Sequence, residues 1–309
     1  MPSFHLTSDQ SHWTWNRNQP AEIHVSPGDT VVVEIANASG GQLTRESTAQ
    51  DVAALDFTRV NPVTGPIYVE NAEPGDALVV EILSIDLDDW GWTANIPGFG
   101  LLADMFPNSH LRISRVTADY AELLPGVRIP VSPFIGTIGL APENWGDHSL
   151  IPPSIQGGNM DIRHVTAGSR LWLPVAVPGA LLSLGDSHAA QGDGEVCGTA
   201  IETSSRAALR VHVKKHAHLT GPRLESSSRA CRRGTAWVTT GIGPDLREGA
   251  RAATLDMIRW IQDLAGLDPE DAYLLTSTAA DLTISEVVDA PNWVVSMHLP
   301  KIILGGDTL

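Results

Sequence analysis

Short β-branched runs recur along this chain, each opened by a tight turn. TVVVEI (Thr30–Ile35) follows SPGD, ALVVEI (residues 77–82) follows EPGD, and RLWLPVAV (residues 170–177) follows TAGS. Val and Ile are stiff at χ1 and pack well on a pleated surface, and glycine supplies the turn angles that other residues avoid. Further strands are predicted at residues 67–69, 207–213, 235–239 and 294–299, many of them bounded by proline. The period changes late in the chain. Leu246, Ala250, Ala253, Met257, Ile261 and Leu264 recur at helical spacing, with Asp245 as N-cap, Glu248 as its capping-box partner and Gly266 as the stop. A second helix is predicted from Asp268, with Pro269 at its first position and Asp271 in its first turn, to about Thr278. DLTISEVVD then returns to strand. Residues 91–106, GWTANIPGFGLLADMF, show no clean period and read as a loop with a helical turn at residues 101–105.

The fold class is therefore mainly β with an α+β portion: a jelly-roll or β-sandwich-like body with two C-terminal helices. No linker divides the chain, so residues 1–309 read as one unit. A subdivision into a β-rich body (residues 1–205) and an α+β portion (residues 206–309) follows the change of period.

Composition narrows the function. With 42% hydrophobic and 18% charged residues the chain is that of a soluble globular protein. Nothing approaches the roughly 18 consecutive apolar residues of a membrane span. The first residues, MPSFHLTSDQSHW, lack a charged and then apolar leader, so the cytoplasm is the expected compartment. Two cysteines, Cys197 and Cys231, are too few for a disulfide framework. A net charge of −16 excludes nucleic acid and anionic membranes as main partners. Residues 206–233 hold eight of the twenty Lys and Arg residues with no aromatic among them, which fits a solvated strand pair or a subunit contact.

The chemistry concentrates in residues 157–202. This stretch carries Asp161, Asp186, His188, Asp193, Glu195 and Glu202 among glycines. Asp, Glu and His suit a divalent metal. Asp186 and His188, two apart in GDSH, would share one face of a strand, and Asp161 would join them from the separate turn GGNMD. A catalytic zinc keeps three protein ligands and an open position for water, and Glu195, flanked by glycine in QGDGE, is the candidate base for that water. Glu202 is a candidate further ligand or a group supporting the ligands. His148 is a candidate substrate contact, and Trp92, Phe99 and Trp145 are candidate pocket walls.

GGNMD followed by GDSHAAQGDGEVCGTAIE closely resembles the acetamidase/formamidase family. HWTWNRNQPAEIHVSPGDTV, NPVTGPIYVENAEPGDALVVEI, PVSPFIGTIGLAP and AYLLTSTAADLTISEVVD extend the resemblance over most of the chain. It implies a cytoplasmic, metal-dependent hydrolase of short aliphatic amides such as formamide and acetamide, releasing ammonia and a carboxylate. It also implies a mostly β jelly-roll-like fold and homo-oligomeric assembly. The carried-over site falls on Asp161, Asp186, His188 and Glu195, with Asn159 and Gln191 as orienting groups. One departure is Asn61-Pro62, where His-Pro is expected before VTGP.

Two rivals stand beside this reading. A thiol amidase would use Cys197 as nucleophile, but it needs a neighbouring base or cation, and Lys214, Lys215 and Lys301 lie in no such motif. A non-enzymatic β-sandwich protein would use the same acids for structural calcium. A mixed case has catalytic zinc and a second, structural ion such as calcium. No G-x-S-x-G nucleophile turn is present.

Overall fold

The computed structural model describes residues 3–227 and 234–305; Cys231 and the arginines at 229, 232 and 233 lie outside them. Two large sheets form the body. The nine-stranded sheet runs in the order Ser3–Leu6, Thr30–Ile35, Ser205–Lys214, Ala77–Leu87, Arg170–Pro174, Arg223–Glu225, Ala236–Gly243, Trp293–Pro300, Asp281–Glu286. Every neighbouring pair in it is antiparallel except the first. The eleven-stranded sheet centres on Leu182–His188. Phe134–Gly139 pairs along one edge of that strand, while Val63–Val69 and Glu202–Thr203 share the other.

The core lies between the sheets. Val31, Val33 and Ile35 point inward in strict alternation and join Leu78, Val80 and Ile82. Ile67, Ile135, Ile138, Leu182 and Leu184 meet them from the other sheet. Each such side chain contributes about 1.5–3 kcal/mol on full burial, which is why the β-branched runs set the layers. The predicted strand at 170–177 stops at Pro174, whose ring removes a ladder donor. The strand 205–214 is longer than the predicted 207–213 and is zipped on both edges.

The two helices form as expected. Leu246–Ala265 is capped by Asp245, which accepts from Glu248 N at 2.9 Å, and ends at Gly266 with φ 67°. Pro269–Ala279 follows, capped by Asp268 through Asp271 N. Trp237, Met257, Ile261 and Leu299 bind the first helix to the sheet. Among the described residues no helix is long and apolar enough to cross a membrane.

Residues 91–106 depart from the expected loop. Trp90–Asn95 is a strand, paired with His110–Val116 in full register. Glycine at 91 hid its alternation, in which Trp92 and Ala94 are buried. Residues 101–105 form hydrogen-bonded turns rather than helix.

Candidate active site

The strand Leu182–His188 is buried at every position, yet it reads LSLGDSH. Polar side chains in a fully buried strand need partners. Ser183 finds His12 Nε2 at 2.8 Å, and Ser187 donates to Thr203 O at 2.7 Å. Asp186 and His188 instead face each other, with Asp186 Oδ1 3.1 Å from His188 Nε2. The expected convergence of these two on one strand is present.

Around them the fold gathers five more carboxyls. Asp161 comes from the turn after Gly157–Asn159, Glu195 from the loop after Leu182–His188, and Glu202 from the next strand. Glu286 ends the edge strand Asp281–Glu286, and Asp289 follows it. Three overlapping groups have ligand atoms within 4.8 Å of one another: Asp161, Asp186 and His188; His188, Glu195 and Glu202; Asp161, Glu195 and Asp289. All are buried. Neither carboxylate oxygen of Asp161 meets a hydrogen-bond donor, and Glu286 Oε2 has no partner.

The backbone is strained where it delivers these groups. Among the described residues nine non-glycine positions have positive φ, and four are here: Asn61 (51°), Asp161 (47°), Asp186 (56°) and Glu195 (43°). Each such position costs about 1–3 kcal/mol and persists only where its surroundings over-determine it. Gly136 lies across the sheet from Asp186. A β-carbon there would collide with Asp161 Oδ1 and stand 2.8 Å from Asp186 Oδ2, so glycine is what lets the two carboxylates approach.

Hydrogen bonds orient the rest. Gln191 Nε2 donates to Asp161 O at 2.8 Å, which turns Gln191 Oε1 toward His188 Nδ1 at 2.9 Å. That oxygen can only accept, so Nδ1 carries the proton and Nε2 is directed at Asp186 and at Glu202 Oε2, 3.0 Å away. Phe134 closes the imidazole edge-on at 4.8 Å. Asn159 Nδ2 donates to Asp289 Oδ2 at 2.7 Å, while its Oδ1 accepts from Thr137 and from Asn61. Glu286 Oε1 accepts from the backbone of Val288 and Asp289, holding Asp289 in place.

The electrostatics are those of too many acids in one dry space. Burial, then repulsion from Asp186, holds Asp161 well above the usual carboxylate range. Burial and Asp161 do the same to Glu195 and Asp289, and burial lifts Glu202 and Glu286 to about 7. Burial also acts on Asp186, but His188 more than offsets it and leaves that carboxyl below its ordinary value. His188 in turn is held well above its own, because Glu202 and Asp186 outweigh its burial. Six carboxyls beside one imidazole cannot all ionise without added positive charge. The donors are oxygen and imidazole nitrogen, so the residues present fit a divalent ion.

The cluster opens on a cavity of about 60 Å³ whose floor is Asp186, Glu195, Glu202 and Asp289 and whose walls include Trp92 and Phe99. A second cavity, about 560 Å³, lies on the other side of Glu195 and Thr199 and is lined by Gln191, Arg163 and Cys197.

Some candidates fall elsewhere. His148 meets Asn144 O at 3.3 Å and is not among the converging groups. Trp145 is 72% exposed, stacked under Arg17. Asp193 forms a two-point ion pair with Arg163 at the surface. The polar neighbours of Cys197 Sγ are carbonyl and hydroxyl oxygens, with Thr199 O at 3.3 Å. Glu286, Asp289, Thr137 and Gly136 were not anticipated. Asp289 stands in an ordinary-looking strand end 87 residues beyond Glu202, with no local signal to mark it.

A two-sheet body with a buried, acid-rich, histidine-bearing centre under a small cavity has the build of a hydrolytic enzyme. The chain belongs to the acetamidase/formamidase family, whose model matches residues 3–145 and 147–305. It is 30% identical to a formamidase of Methylophilus methylotrophus, over 96% of this chain and 90% of that one. It is 28% identical to an acetamidase of Mycolicibacterium smegmatis, over 94% and 89%. The solved structure of an acetamidase from Bacillus halodurans superposes with a TM-score of 0.89 at 32% identity, covering 98% of this chain and all (100%) of that one.

Proposed function

We propose that this protein is a metal-dependent amidohydrolase that cleaves short aliphatic amides, formamide and acetamide foremost, to ammonia and a carboxylate. The observation that carries the reading is the buried cluster of six carboxyls and one imidazole beneath a cavity of about 60 Å³. Asp161, Asp186 and His188 would hold the catalytic ion, zinc by its donor set, with Glu202 beside them. The remaining hard oxygens, of Asp289 and the far side of Asp161, suit a second ion such as calcium. An ion held there would supply positive charge to polarise the amide carbonyl and to lower the pKa of a water.

The chain's own groups do the rest. Gln191 keeps His188 Nε2 free for the ion. Glu195, a carboxyl on the loop beside the cluster and lining its cavity, takes the water's proton and passes it to the departing nitrogen. Asn159 and Thr137 hold Asp289 and Asp186 against the repulsion of the cluster. Trp92 and Phe99 exclude bulk water and limit substrate size.

The test is product analysis with purified protein. Formamide should give one ammonia and one formate per turnover, and Cys197→Ser should stay within about twofold of wild type. Loss of turnover in Cys197→Ser would transfer the nucleophile's role to that thiol. No hydrolysis of either amide by protein carrying stoichiometric metal would contradict the proposal in favour of a structural ion.

A further inference from the structure

Two aromatic rings from separate segments line the small cavity. Phe57 lies in the short 3₁₀ helix Phe57–Arg59, pinned by Asp56, whose carboxylate accepts from Thr58 N at 3.0 Å. Phe99 lies in the loop after Trp90–Asn95. The two rings meet edge to face, with centroids 6.3 Å apart at 66°. Both line the cavity. Phe57 is 49% exposed, whereas Trp92 on the inner wall is 2% exposed, so the pair marks the outer end and Trp92 the inner.

Phe99 is packed against a neighbouring loop as well as against Phe57. A β-carbon at Gly198 would collide with its ring, so the ring rests directly on the loop that carries Glu195. Leu101 N donates to Val196 O at 3.0 Å, tying the same two loops together. A substrate amide must turn its carbonyl and nitrogen toward the acidic floor, because those are its polar atoms. Its acyl substituent then points away from the carboxylates, toward the aromatic pair.

We infer that the Phe57–Phe99 pair is the specificity determinant for acyl chain length: the pair admits a hydrogen or methyl and rejects each further methylene. This rests on the proposed amide hydrolysis and deepens it. Discrimination of about 10- to 200-fold per methylene is what a well-packed apolar wall supplies.

The experiment compares kcat/KM for formamide, acetamide, propionamide and butyramide in the metal-loaded wild type, in Phe57→Ala and Phe99→Leu, and in Phe106→Ala as a control from the same loop. The propionamide-to-formamide ratio should rise about tenfold or more in Phe57→Ala and Phe99→Leu and stay at the wild-type value in Phe106→Ala. Phe57 is half exposed, so its truncation reads the gate even if Phe99→Leu folds poorly. A ratio unchanged in Phe57→Ala, or rising equally in Phe106→Ala, overturns the assignment. A wild type that hydrolyses none of the four amides overturns the underlying reading, and the gate with it.

Discussion

Replacing Glu195 with glutamine should lower kcat by about 100- to 10,000-fold, the usual contribution of a positioned base, while bound metal stays at the wild-type level. The substitution keeps the side chain's length and volume, so the buried position of Glu195 and the contact of its loop with Phe99 are preserved. It removes the negative charge and the capacity to accept a proton, and it leaves the group Asp161, Asp186 and His188 intact. Asp161, Asp186, His188 and Glu202 remain available to the ion. Steady-state kinetics and elemental analysis on one preparation separate the outcomes. Full activity in Glu195→Gln would exclude Glu195 as the base, and parallel loss of metal and turnover would make it a ligand instead.

The second large effect is expected from a residue with no chemistry. Gly136→Ala should reduce metal occupancy at least about tenfold and turnover by about 100-fold or more. The added methyl group would occupy the space between Asp161 Oδ1, Asp186 Oδ2 and Asp186 O. The methyl cannot move, because Gly136 is held in the strand Phe134–Gly139 between Leu182–His188 and Gly157–Asn159. The carboxylates must therefore separate, and a displacement of about 1 Å suffices to disturb a catalytic centre. Metal titration of Gly136→Ala beside wild type, with circular dichroism to confirm folding, reads the result. Wild-type metal affinity in a folded variant would show that Asp161 and Asp186 do not bind one ion together.

Much of this architecture was legible along the chain because its signals are local. Val31, Val33 and Ile35 alternate within six residues, and both helix N-caps are adjacent to the turns they close. The same holds for Asp186 and His188, which meet because they lie two apart on one strand. Trp90–Asn95 was missed since its small residues leave no contrast to alternate, and its burial depends on a partner strand 20 residues on. The other half of the acidic centre was hidden for a different reason. Glu286 and Asp289 reach Asp161 only because the edge strand touches the loop bearing Glu195 through Gly194 and Ser285. Nothing within a sequence window distinguishes such an acid from one that caps a turn. Gly136 is equally silent, since its role is an absence of atoms. Asn61, noted as a departure from the expected His-Pro, proved to be part of the centre, donating to both Thr137 and Asn159. His148 is close to GGNMD in sequence, yet its ring meets Asn144 O and it is not among the converging acids.

The central claim is that the buried acidic centre works through a divalent ion. Ammonia release from formamide and acetamide, measured before chelation, after exhaustive chelation and after stepwise return of zinc, tests it most directly, with metal content read on the same samples. Activity should vanish with the metal and return in proportion to zinc bound. Turnover that persists in protein shown to be free of metal would contradict it.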